Sequence, residues 1–302
     1  MKAMLKFLLL VLLTTIVFSV VSALMPYSPS FKAAGQKADP SVILFVLITV
    51  AWICFTIIYI VQRARWPGKR LGIIVTLMLF LVLSFMTQIE TMFFGDAFKI
   101  LTTMDIVLIM MANGIIVITA TPLAIKWFRN NSADMHSVGR DVSFQPADIL
   151  RTPGLISRLA LTGLAYVIIY FVFGYFVAWQ EADLRVFYTG HNADNGFLDS
   201  LITNFRERPV IYPFQFIRGV LFGLFVLPLL QMFPDRPVTL LISLLLVFSS
   251  VAISLIIPNV LFPDSVRWAH FREMMSSMTV FAVLIWWIYT RDRVRMIQSV
   301  QS

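Results

Sequence analysis

Cysteine and charge are both scarce in this chain. Its 302 residues include a single cysteine, Cys54, and only 13% are charged, whereas 59% are hydrophobic. A soluble domain has about 25% charged and about 45–50% apolar residues, so this apolar excess cannot be buried in one soluble core. The composition excludes a soluble enzyme, a disordered chain and a secreted disulfide scaffold. A lone cysteine also excludes an internal disulfide and a cysteine-based metal site.

The sequence also lacks the short motifs that identify common catalytic sites. It has no glycine-rich phosphate loop, no Gly-x-Ser-x-Gly elbow, no His-Glu-x-x-His pair and no paired-cysteine motif. With three histidines in the whole chain, no convincing set of metal ligands can be assembled. The sequence predicts neither a metal nor a cofactor, and it leaves open whether the protein is an enzyme.

What the sequence has instead is a series of long apolar runs. A membrane crossing needs roughly 20 mostly apolar residues, and such segments must be helical because lipid cannot satisfy an open backbone. The runs do not alternate as barrel strands would. The fold class predicted is all-α, a polytopic bundle of about eight transmembrane helices. They cover residues 5–24, 41–62, 71–94, 101–128, 156–180, 209–233, 237–261 and 270–290.

The first run has a second interpretation. Lys2 and Lys6, an apolar stretch and the small residue Ala23 together resemble a secretory signal peptide. The run is longer than a usual signal core, and cleavage there would leave Met25 at the new terminus. We therefore favour an uncleaved first helix, and the orientation of the other seven is the same in either case.

The distribution of Lys and Arg predicts the orientation. With the N-terminus inside, the cytoplasmic segments receive most of the 24 basic residues, including four in the short loop 63–70. Excess Lys and Arg mark the cytoplasmic side, so both termini are predicted to be cytoplasmic. Because this charge is spread over juxtamembrane loops, it suits contact with anionic lipid headgroups and does not indicate nucleic acid. Short loops favour the plasma membrane of a prokaryote.

Two long connections organise the chain within a single membrane domain, 1–302. The cytoplasmic loop 129–155 separates two halves of four helices each, 1–128 and 156–302, without a convincing internal repeat between them. The external loop 181–208 contains turn-forming Asn, Asp and Gly together with aromatic residues. It is interpreted equally well as a folded cap or as a solvated connector.

The best functional signal is the set of polar residues inside the apolar runs, since such groups are costly in lipid and face the protein interior. Nearly all of them fall in the outer half of the bilayer, which predicts an outward-facing polar pocket. The candidate ligand-binding or proton-coupling residues are Gln88, Glu90, Asp105, Gln215, Arg218, Asn259, His270 and Glu273.

Arg218 is the sharpest of these candidates because it lies too deep to reach the headgroups easily. It needs a carboxylate, a group of carbonyls or an anionic ligand, and Glu90, Asp105 and Glu273 are the candidate partners. A buried ion pair that only fixes helix register is an equally good interpretation. Gly219 and Gly223 beside it form Gly-x-x-x-Gly, which is typical of close helix packing.

His270, Glu273 and Ser277 share one face of the last helix. His-x-x-Glu can offer two metal ligands or a proton relay, but a metal would need a further ligand. An interfacial helix start, with Glu273 favouring the helix dipole, accounts for the pair better than a metal does.

Three functions remain open from the sequence. The leading one is an outward-facing pocket that binds or transports a small polar, anionic or amphiphilic molecule, with Arg218 holding a negative group. The second is a membrane-embedded enzyme acting on a lipid-linked substrate at the outer leaflet, with Glu90 or Glu273 as base and His270 as its partner. The third is a membrane scaffold in which the polar residues only lock helices together.

Overall fold

The predicted fold class is confirmed: the chain is an all-α, multi-pass membrane bundle. A computed structural model describes residues 1–36, 41–129, 154–193 and 195–301, and within these ranges it contains helices and their connections but no β-strand. Eight of the described helices are long and apolar enough to cross a membrane. Because every helix satisfies its own backbone hydrogen bonds, such a bundle is stable in hydrocarbon.

The helices are numbered here in chain order, and the membrane-spanning ones are α1, α3, α4, α5, α6, α9, α10 and α11. Their bounds are α1 Lys2–Leu24, α2 Pro29–Gly35, α3 Val42–Arg63, α4 Gly68–Phe93, α5 Thr103–Phe128, α6 Leu155–Ala178, α7 Ala182–Thr189, α8 Phe197–Glu207, α9 Ile211–Met232, α10 Pro237–Ile256 and α11 Asp264–Gln301. The predicted loop 129–155 falls almost wholly on residues outside the described ranges.

The outer surface of the bundle is apolar along its spans. Large aliphatic side chains that would be buried in a soluble protein are instead exposed, among them Ile43, Ile73, Ile118, Ile168 and Ile217. An aliphatic face of this extent is stable only against lipid or a partner. The exposure therefore agrees with a bilayer around the spans.

The spans pack in two groups that meet in the middle of the bundle. Helices α1, α3 and α5 pack against one another and α4 packs on α5; in the other group α6, α9, α10 and α11 pack together. The groups touch where α10 packs on α3 and α4, and where α4 meets α9. Charged side chains at that second contact form the main ion pair described below.

Helices α6 and α9 approach unusually closely, as the Gly-x-x-x-Gly pattern predicts. A Cβ added at Gly219 would lie 2.5 Å from the Cβ of Tyr166 and 2.9 Å from the Cα of Gly163. No side chain larger than hydrogen fits at that crossing. The small residue thus allows the close approach that places Arg218, its neighbour in sequence, at the centre of the bundle.

The two ends of the bundle differ in character. We call the end that carries residues 63–70 the basic end; there Arg65 pairs with Asp235 at 3.0 Å. We call the opposite end the cap end, because the region predicted as the loop 181–208 forms helices α7 and α8 there.

Helix α7 is held against the start of α11 by a small apolar cluster. Leu184 packs with Val266 and Ala269, and all three are buried. This contact explains why α11 begins at Asp264, six residues before the predicted start of the run. The region therefore folds back onto the bundle, as the cap interpretation expects.

Candidate functional site

A cavity of about 860 Å³ lies in the cap-end half of the bundle. Residues of both helix groups form its walls, and residues of α7 and α8 contribute at the cap end. Its lining combines aliphatic and aromatic side chains with many polar ones. The polar residues on its wall include Ser84, Thr87, Gln88, Glu90, Thr91, Asn113, Tyr170, Tyr188, Ser250, Asn259, His270, Glu273 and Ser277.

Arg218 and Glu90 form a two-pronged ion pair beside this cavity. The guanidinium Nη1 donates to Glu90 Oε1 at 2.6 Å, and Nη2 donates to Glu90 Oε2 at 2.7 Å. Nη1 also donates to Oε1 of Gln215, one turn earlier on the same helix, at 2.8 Å. Paired, parallel hydrogen bonds of this kind are the strongest geometry available to arginine. The pair joins α4 to α9 and hence the two helix groups.

The ion pair is asymmetric in its burial. Arg218 is 1% exposed, whereas the side chain of Glu90 is 26% exposed, and that exposure is toward the cavity, which Glu90 lines and Arg218 does not. The rings of Tyr166, Phe214 and Phe222 surround the guanidinium, with centroids 5.5–5.8 Å from its carbon. Arg218 is therefore the buried partner, and Glu90 is the one that a molecule in the cavity can reach.

A second carboxylate on the cavity wall lacks such a partner. Glu273 is 8% exposed, and within the described part of the chain its carboxylate accepts no hydrogen bond. The one basic side chain within 4.0 Å of it there is His270, whose Nδ1 lies 3.9 Å from Glu273 Oε2. That separation is beyond hydrogen-bond distance.

His270 connects this wall to the cap. Its Nε2 lies 3.0 Å from the hydroxyl of Tyr188 on α7, and its ring contacts the ring of Phe262 at 5.3 Å. Burial raises the pKa of Tyr188 above its usual value, and the negative charges of Glu90 and Glu273 raise it further. Tyr188 is thus a neutral phenol that can donate to or accept from the imidazole. In the described ranges, no three His, Cys, Asp and Glu side chains form a group able to hold a metal ion.

The structure brings most of the sequence-predicted residues to one place. Gln88, Glu90, Asn259, His270 and Glu273 all line the cavity, and Ser277 lies on the same face of α11 as His270 and Glu273. Arg218 lies directly behind Glu90 and donates to it, and Gln215 accepts a second hydrogen bond from Arg218. Seven of the eight candidates therefore belong to one cavity and the ion pair at its edge.

Asp105, the eighth candidate, lies elsewhere. Its carboxylate accepts hydrogen bonds from the backbone and hydroxyl of Thr102, at 2.9 and 2.7 Å, as the reciprocal cap of α5. It also accepts from the backbone and hydroxyl of Ser28, at 2.8 and 2.7 Å. Four hydrogen bonds satisfy this buried carboxylate, and through them it fastens the segment before α2 to α5. Asp105 is not among the described residues that line the cavity.

Several lining residues were not among the predicted candidates. Tyr170 on α6 and Tyr188 in the predicted external loop both lie on the wall. Two π-helical segments, Phe80–Phe85 in α4 and Gly174–Ala178 in α6, also contribute lining residues. Such segments often mark functional sites. Their wide turns have no signature in hydropathy, so the sequence could not reveal them.

A buried aromatic cluster lies beside the cavity, toward the basic end from the lining residue Tyr166. The rings of Phe222, Phe248 and Phe281 contact one another, and Phe222 and Phe281 contact Tyr166, at centroid distances of 5.0–6.0 Å. All three phenylalanines are fully buried. None of them lines the cavity, so on the side of Tyr166 the cavity ends before this packed cluster.

Comparison of the chain with models of protein families, with curated proteins and with solved structures found no match.

Proposed function

We propose that this membrane protein binds an amphiphilic molecule in its cap-end cavity, with the apolar part of the ligand against the aliphatic and aromatic wall. The observation that carries the proposal is the cavity itself. At about 860 Å³ it falls within the roughly 300–1,000 Å³ typical of small-molecule sites. Such sites join an apolar wall to placed polar groups, and this lining offers both: aliphatic and aromatic side chains, and polar ones such as Glu90, His270 and Glu273.

We further propose that the cap end faces outward from the plasma membrane of a prokaryotic cell, with both termini in the cytoplasm. The short connection 63–70, with its four Lys and Arg residues, supports this orientation. Under this orientation the cavity accepts its ligand from the outer leaflet or from outside the cell.

The aromatic cluster of Phe222, Phe248 and Phe281 bears on the choice between binding and transport. A route to the basic end beside Tyr166 would pass these rings, and they are in mutual contact. The present conformation supports a binding step, and passage along that side would require the rings to separate. Binding is therefore the function that this geometry supports best.

The two alternatives receive less support. An enzyme with His270 and Glu273 as a catalytic pair needs them within about 3 Å of each other or of a shared water, and 3.9 Å separates them. A scaffold accounts for the Arg218–Glu90 pair, since that arginine is bonded to protein groups on two sides. It does not account for the buried carboxylate of Glu273 on the wall of a large cavity.

A matched pair of substitutions tests the proposal. Ile169 lines the cavity and is 6% exposed, whereas its neighbour Ile168 is 63% exposed on the outer surface of α6. We expect Ile169→Trp to fill part of the cavity and lower the affinity for a dodecyl amphiphile at least about tenfold, a loss of about 1.4 kcal/mol. Ile168→Trp should bind as the wild type does.

Native mass spectrometry of the detergent-released protein measures this directly, by the fraction of chains that keep one added amphiphile. Size-exclusion chromatography establishes that both variants are folded. Equal binding by the wild type, Ile169→Trp and Ile168→Trp would contradict the proposal, because the cavity would then have no part in binding.

A further inference from the structure

Among the described residues, the Glu and Arg side chains on the cavity wall and directly behind it carry an excess of negative charge. Glu90 is compensated by the two hydrogen bonds from Arg218. Glu207 and Arg208 are adjacent and of opposite charge where α8 ends. Glu273 remains, and within the described residues no Lys or Arg lies within ion-pair distance of it.

Within the described residues, the Glu273 carboxylate has no hydrogen-bond donor. Burying an ionised group without a partner is costly, and Glu273 is buried in a bundle that crosses lipid. His270 is the basic side chain beside it, but its Nδ1 lies 3.9 Å from Glu273 Oε2, which is too long for a hydrogen bond. The other imidazole nitrogen, Nε2, lies 3.0 Å from the hydroxyl of Tyr188. The remaining space in front of the carboxylate is the cavity.

Much of the remaining wall is aromatic, which suits the same kind of ligand. Positive groups are attracted to the faces of aromatic rings, most strongly when both are withdrawn from water. The aromatic lining residues include Phe94, Phe98, Tyr170, Tyr175, Trp179 and Tyr188. A buried carboxylate without a Lys or Arg partner, in a cavity that aromatic side chains also line, is a fitting environment for an ammonium group.

We propose that the cavity ligand is a cationic amphiphile, an amine or ammonium with an apolar chain, and that Glu273 binds its positive head. This inference rests on the proposed function and specifies its ligand class. It assigns the Arg218–Glu90 pair to positioning: because Glu90 already engages Arg218, an anionic head would have to displace Glu90 to reach the arginine. The same ammonium chemistry could come from a free alkylamine or from an aminophospholipid headgroup.

Three dodecyl compounds of equal chain length test the assignment: dodecylammonium, dodecanol and dodecanoate. We expect the wild-type protein in phosphatidylglycerol nanodiscs to bind dodecylammonium at least about tenfold more tightly than dodecanol, and dodecanoate least tightly. A hydrogen bond to a charged group contributes enough free energy for a difference of that size.

The variant Glu273→Gln should abolish the preference, with affinity for dodecylammonium falling at least about tenfold and affinity for dodecanol staying within about twofold. Glu273→Asp, which keeps the charge, should retain the preference. Glu181→Gln is the matched control: it removes a carboxylate at the same end of the bundle, where Glu181 is paired with Arg272 at 3.4 Å. Retained binding of dodecanol shows that the Glu273→Gln variant is folded, so its loss of ammonium binding is specific.

The outcomes separate the two proposals. If the wild type binds none of the three compounds, the proposed function fails. If it binds all three equally and Glu273→Gln changes nothing, the cavity binds amphiphiles but the assignment to Glu273 is overturned. Repeating the titration in phosphatidylethanolamine nanodiscs identifies the source: competition by the bilayer indicates the lipid headgroup, and unchanged affinity indicates a free amine.

Discussion

Breaking the Arg218–Glu90 pair from either side should have unequal effects. Removing one partner of a buried ion pair costs about 3–5 kcal/mol, because a charge is left without compensation. Glu90→Gln leaves a guanidinium that is 1% exposed and cannot lose its charge, so we expect the free energy of unfolding to fall by about 5 kcal/mol. Arg218→Met leaves a carboxylate that is 26% exposed and can be reached from the cavity, so we expect a smaller fall in the free energy of unfolding, of about 3 kcal/mol.

The double variant Arg218→Met with Glu90→Gln completes the test. Because it removes both charges, its loss should fall well short of the sum of the two single losses, by about 3 kcal/mol or more. The free energy of unfolding is measured for all four proteins in mixed micelles, by titration with a denaturing detergent. Additive losses, within about 0.5 kcal/mol, would refute the ion pair, and a larger loss for Arg218→Met than for Glu90→Gln would refute the burial argument.

Two further predictions concern the scaffold around the cavity. Gly219→Ala should lower the free energy of unfolding by about 1–3 kcal/mol, because the added Cβ meets Tyr166 at 2.5 Å. Gly174→Ala, where the added Cβ has no atom within 4 Å, should change it by no more than about 0.5 kcal/mol; equal losses would contradict the close crossing. Asp105→Ala should cost about 0.5–2 kcal/mol as a lost cap and speed hydrogen exchange near Ser28, which exchange mass spectrometry measures; unchanged exchange there would contradict the fastening role.

The fold was predictable because a bilayer imposes a simple rule on sequence. Each span must be apolar for about 20 residues and must satisfy its own backbone, and eight such runs occur. The rule fails at boundaries where a charge is satisfied inside the protein. The predicted last run begins at residue 270, after Arg267, yet Arg267 lies in α11, where it is buried and donates to the carbonyl oxygens of Leu255 and Ile256, at 3.2 and 2.7 Å.

The site was predictable as a set of residues but not as a set of pairs. Intramembrane polarity identified Glu90, Asp105 and Glu273 as partners for Arg218, and nothing in one sequence ranks the three. The choice depends on helix rotation, which the π-helical segment of α4 alters before Glu90. For Asp105 it depends on Ser28, a residue 77 positions away whose hydroxyl and backbone both reach the carboxylate.

The central claim, a cavity that a ligand enters from the cap end facing outward, has one most direct test. Thr91 lines the cavity on α4, and the lone native cysteine, Cys54, is fully buried. In a Cys54→Ala background, Thr91→Cys should react with a membrane-impermeant thiol reagent applied outside intact cells, and dodecylammonium should slow that reaction. Reaction from the cytoplasmic side alone, or a rate that no amphiphile changes, would contradict the account.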